Sequence, residues 1–106
     1  MTNKSKKLIK KISEWATENE TIVTFIGTDK DNYKYAPAIV GIATYPTDSV
    51  VYDYNKLIKC IMKINGGGYG KAVEWYSYNT ERAMRYIPKG ENPPIVIIPV
   101  EDLINP

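Results

Sequence analysis

Near the start of the chain, apolar side chains return every three to four positions. Leu8, Ile9, Ile12, Trp15 and Ala16 follow this spacing, with lysines and glutamates between them. The spacing predicts an amphipathic helix over 4–18. Its charges oppose the helix dipole: Lys4, Lys6, Lys7, Lys10 and Lys11 crowd the N-terminal half, while Glu14, Glu18 and Glu20 sit at the other end. Each misplaced charge costs about 0.3–1 kcal/mol. Packing must therefore hold this helix, and the lysine cluster serves either solubility or contact with an anionic partner.

The pattern then changes to β-branched runs. Residues 21–27 read as a strand ending on Gly27, followed by a polar turn over 28–34. A second strand fits 38–43, where the interior Gly41 signals a bulge or a close approach. After the turn Tyr45–Asp48 comes a third strand, Ser49–Tyr52, leading into a helix over 55–64 capped by Asp53 or Asn55. Gly66–Gly68 end that helix, and a further one is predicted over 69–87. Tyr69, Ala72, Val73, Tyr76, Thr80, Ala83, Met84 and Ile87 form its core stripe. Ile95–Ile98, bounded by Pro94 and Pro99, reads as a last strand at a sheet edge. The order α-β-β-β-α-α-β predicts a single small α+β domain over 1–106, its sheet mostly antiparallel and packed by helices.

Composition narrows the chemistry. A chain of 106 residues with 43% hydrophobic and 25% charged residues can build one core. The net charge of +2 is too small to imply nucleic acid without a clustered basic face. With no histidine and one cysteine, histidine-based triads, intrachain disulfides and ordinary zinc sites are excluded. No apolar run approaches the roughly 20 residues of a membrane helix, and the lysine-rich start lacks the apolar region of a signal peptide. The expectation is a cytoplasmic protein that needs no cofactor or metal.

Three places carry candidate chemistry. Gly66–Gly70 with Lys71 resembles an anion-binding loop, but a phosphate loop would need a glycine at Asn65 and a hydroxyl at Ala72, and it would follow a strand. The 69–87 helix sets Lys71, Trp75, Tyr78, Arg82 and Arg85 opposite its core stripe, with Tyr86 at the margin. Trp, Tyr and Arg are the types enriched at binding hot spots, and they also stack on bases. The competing reading packs Trp75 beneath the first helix. Tyr52 and Tyr54 flank Asp53 at a strand-to-helix junction, where Asp53 serves as a cap. Cys60 has no base nearby in sequence and reads as an inert thiol. No catalytic residue is assigned.

In order, the elements Ala38-Ile39-Val40-Gly41, Val51-Tyr52-Asp53-Tyr54-Asn55-Lys56, Ala72-Val73-Glu74-Trp75, Tyr78-Asn79 and Pro94-Ile95 resemble a group of short, uncharacterised phage and prophage proteins. The chain departs from that group in its Gly66–Gly70 turn and its lysine-rich first helix. The resemblance implies a non-enzymatic accessory binding protein acting in the host bacterial cell, such as an inhibitor of a defence system of the anti-CRISPR kind. Its expected partner is a protein, with a nucleic acid or nucleotide as the other option; no membrane is expected, and homo-oligomerisation is left open. The alternative function is sequestration of a nucleotide or other phosphorylated ligand by Tyr52, Tyr54 and the glycine loop.

Overall fold

The computed structural model describes residues 2–105. Helix α1 (Thr2–Glu18) buries Ile12 and Ala16, with Ile9 and Trp15 half-buried and Leu8 largely outside. It stops in a paired cap: Thr21 N–H donates to Ala16 O at 3.0 Å and Glu20 N–H to Thr17 O at 3.2 Å. This requires Glu20 at φ +52, a left-handed position that glycine ordinarily fills.

The α+β class holds, but two finer expectations are corrected. Residues 21–27 do not form a strand; they make a single parallel bridge, Val23 to Asn92. The reason lies in the next rung. Asn92 N–H donates to Ile22 O at 2.9 Å, and Thr24 N–H to Asn92 O at 3.1 Å. To continue, residue 94 would have to donate to Thr24 O, and Pro94 has no N–H. Ile26 N–H, which a regular ladder would send to residue 94, goes instead to the Tyr52 hydroxyl at 3.0 Å.

The second correction concerns the sheet, which is mixed rather than mostly antiparallel. Strand β1 (Ile39–Ala43) pairs antiparallel with β2 (Ser49–Asp53), with a register irregularity between Ile39 and Gly41. Strand β3 (Ile95–Ile97) lies parallel to β2, giving the order β1-β2-β3. Central β2 places Ser49, Val50, Tyr52 and Asp53 in the interior. The polar stretch before β1 contains a 3-10 helix, Asn32–Ala38, where the sequence pattern predicts only a turn. It buries Tyr35, Ala36 and Ala38, and its Pro37 cannot donate to a longer helical ladder.

Helix α2 (Tyr54–Asn65) starts where Asp53 accepts from Lys56 N at 3.1 Å, so Asp53 is the cap. It buries Leu57, Ile58 and Ile61 at the centre of the core. The predicted 69–87 helix begins as α3 (Tyr69–Trp75), widens into a π-helical stretch (Tyr76–Glu81), and closes as a short α4 (Arg82–Met84). The widened turn rotates the residues after it. Ala72, Tyr76 and Thr80 are buried as the stripe requires, but Ala83 is exposed and so is Tyr69 at the start. A final helix, α5 (Val100–Ile104), is held by Asn55 Nδ2 donating to Asp102 Oδ2 at 2.8 Å.

Candidate functional site

The π-helical stretch forms one wall of a cleft of about 410 Å³. Trp75, Asn79, Ala83 and Ile87 follow one another along this wall; facing them is the segment Thr24–Thr28, whose ladder is cut short at Pro94. The cleft thus lies where the sheet stops growing. Widened helical turns of this kind concentrate at functional sites. Asn79 Nδ2 donates to Trp75 O at 3.0 Å, tying the widened turn to its own side chain.

The opposite wall is built around Gly27 at φ +96. A Cβ there would lie 2.9 Å from Asp31 Oδ1 and 3.0 Å from the Tyr35 ring, so carboxylate and phenol ring meet over a residue that must be glycine. Asp31 Oδ1 also accepts from Thr28 N and from Thr28 Oγ1, which closes the turn and fixes the carboxylate. Burial pushes the Tyr35 phenol above its ordinary value, and the nearby Asp31 charge and Cys60 push the same way. Thr24 Oγ1, also on this wall, is buried without a hydrogen-bond partner.

Of the residues singled out from sequence, Lys71, Tyr78, Arg82 and Arg85 are exposed. Arg82 lies over the Tyr78 ring, 5.8 Å from its centre, so the two form one stacked pair. Trp75 is half-buried in the cleft wall, while its neighbour Tyr76 is only 5% exposed. Tyr52 must be removed from any binding role: it is 0% exposed and its hydroxyl serves Ile26. Tyr54 stacks edge-on against Tyr76, with ring centres 5.5 Å apart. Burial, with lesser help from Tyr69 and Glu81, raises its phenol pKa.

The glycine turn offers no cradle. Gly66 and Gly67 adopt φ +74 and +83, and nothing lies within 4 Å of a Cβ built at Gly66, Gly68 or Gly70. Lys71 folds back against Gly67. At the other end of the chain, Lys6 sits 4.9 Å from the centre of the Tyr33 ring, so one lysine of the N-terminal cluster is engaged within the fold. Burial raises the Cys60 thiol pKa above its ordinary value, outweighing Lys63 and a backbone hydrogen bond from Ala38, which keeps the thiol protonated at neutral pH. Among the described residues no group of three His, Cys, Asp or Glu side chains could hold a metal ion, and no helix is long and apolar enough to cross a membrane.

Sequence reasoning missed the Thr24–Asp31 wall. Its one legible signal was Gly27 followed by the hydroxyl and carboxylate pair Thr28 and Asp31, a turn-forming combination. No protein-family model, curated protein or solved structure matches the chain. The fold and the site define a small α+β domain with an aromatic-walled surface cleft beside an exposed arginine–tyrosine pair.

Proposed function

We propose that this chain is a non-enzymatic binding protein whose recognition surface is the Trp75–Arg85 helix and the adjoining cleft. In keeping with its resemblance to phage accessory proteins, it acts against a protein of a bacterial defence system. One observation carries the reading. Trp75 stands half-buried in a cleft wall, with the exposed Tyr78–Arg82 stack on the neighbouring row of the same helix. Held aromatic and arginine side chains lose little freedom on docking, which is why such residues dominate interface energetics.

The phosphorylated-ligand alternative draws no support from the cleft. Asp31 is the only charged side chain among the described residues lining it, and a phosphate placed there would meet a carboxylate and no cation. Tyr52 is unavailable, and nothing lies within 4 Å of a Cβ built at Gly66, Gly68 or Gly70 to form a cradle.

The test is a plasmid-interference assay in bacteria carrying an RNA-guided nuclease, with the chain supplied in trans. The wild type protects the targeted plasmid. Arg82→Ala and Tyr78→Ala lose protection while keeping the wild-type melting temperature, since a central interface residue is worth about 2 kcal/mol, roughly thirtyfold in affinity. Glu74→Gln, an exposed carboxylate change, leaves protection intact. Loss of protection in Glu74→Gln alongside full protection in Arg82→Ala would overturn the binding model.

A further inference from the structure

We infer that the cleft between the π-helical stretch and the Thr24–Asp31 wall is a receptor for an arginine side chain presented by the partner protein. This rests on the binding reading above and names the chemistry that the surface recognises. Three observations converge. The first is charge: among the described residues lining the cleft, Asp31 is the only charged one. The turn holds that carboxylate through Oδ1, which accepts from Thr28 N and Thr28 Oγ1.

The second is the character of the walls. Half-buried Trp75 and Phe25 line the space with Met84, Ile87 and Pro94. Aromatic faces beside a carboxylate suit a planar cation on an apolar stem. Guanidinium stacks on such faces and is more weakly hydrated than ammonium, so it loses less on leaving water. The third is continuity. Trp75 belongs to the cleft, while Tyr78 and Arg82 occupy the next row of the same helix, so a segment docked on that row can drop a side chain into the cleft. At about 410 Å³, the space takes an arginine together with part of its backbone.

The test needs no knowledge of the partner. The full chain carrying Trp15→Phe, so that fluorescence reports Trp75 alone, is titrated with N-acetyl-arginine amide, and in parallel with the lysine and citrulline analogues. Citrulline keeps the shape of arginine and removes the charge. The arginine compound should give a saturable Trp75 signal with a dissociation constant on the order of 1 mM, and citrulline should bind about tenfold more weakly. Asp31→Asn retains an oxygen able to accept from Thr28 and therefore keeps the turn; in that variant the preference for arginine over citrulline should collapse to near unity.

Equal binding of arginine and citrulline to the wild type, or no saturable signal from either, overturns the inference. A preference that survives in Asp31→Asn overturns the assignment of Asp31. The two readings fail separately. Saturable arginine binding with full plasmid protection by Arg82→Ala and Tyr78→Ala would leave the cleft standing and remove the proposed interface. Loss of protection in those variants without arginine binding would do the reverse.

Discussion

Replacing Tyr52 by phenylalanine isolates the hydrogen bond that stands in for a missing rung of the sheet. The ring is fully buried and its hydroxyl accepts the buried Ile26 N–H at 3.0 Å. Phenylalanine keeps the ring but leaves that donor without an acceptor, a loss of about 1–3 kcal/mol. In urea, with a slope of about 1–3 kcal/mol/M, a 2 kcal/mol loss moves the unfolding midpoint down by about 1 M. Fluorescence of the half-buried Trp15 and Trp75 reports the transition. The same variant carries a pH signature. Burial, opposed in part by the Ile26 hydrogen bond, raises the Tyr52 phenol from 10.0 to about 12. An unfolded tyrosine therefore ionises first, so its contribution is fully present below pH 10 and is lost as pH climbs towards 12. At about 1.4 kcal/mol per unit, that loss is on the order of 2–3 kcal/mol for Tyr52. Tyr76 is also raised to about 12 and declines in both proteins, so the informative quantity is the gap between them. The gap should favour wild type at neutral pH and shrink between pH 10 and 12. An unchanged midpoint at neutral pH, or a gap constant across the alkaline range, would refute the reasoning.

Tyr76→Ala should cost about 3–5 kcal/mol in a thermal melt, because a nearly enclosed ring leaves a cavity. Ala83→Glu should stay within about 0.5 kcal/mol of wild type, since the widened helical turn carries Ala83 to the surface. Gly27→Ala should lower the melting temperature by about 4 °C or more, because the new methyl meets Asp31 and Tyr35 at a left-handed φ. Glu20→Gly should raise urea resistance by about 0.5 kcal/mol, as the strain relieved at φ +52 exceeds the entropy that glycine gives back to the unfolded chain.

The elements legible in the sequence were those whose local pattern and tertiary role agree. Helix α2 shows its apolar face, its two candidate caps Asp53 and Asn55 and its terminal glycines in one continuous stretch, and the structure selects Asp53 as the cap and ends the helix at Gly66. Gly41, read as a bulge or a close approach, adjoins the register irregularity of β1. The failures came from long-range events. Residues 21–27 have strand chemistry throughout, yet whether they pair depends on a proline some seventy positions away. The stripe on the 69–87 helix assumed a constant period and drifted once the π-helical stretch intervened, so Ala83 was placed inside. Trp75, read as lying opposite the core stripe, is half-buried and packs against the core cluster as well as lining the cleft; those surroundings were not readable, because the opposite wall comes from a segment that sequence alone reads as a strand and a turn.

The two prolines around the last strand also govern the chain before it folds. Ile95, Val96, Ile97 and Ile98 are four successive β-branched aliphatics, the composition from which steric zippers assemble. Such assembly needs an uninterrupted window of about five to seven residues. Pro94 closes the run on one side and Pro99 on the other; without Pro99 it would continue into Val100. Between the two prolines the run is four residues long, shorter than that window. Pro99→Ala should leave the native state close to unchanged yet raise the yield of thioflavin-positive fibrils on refolding.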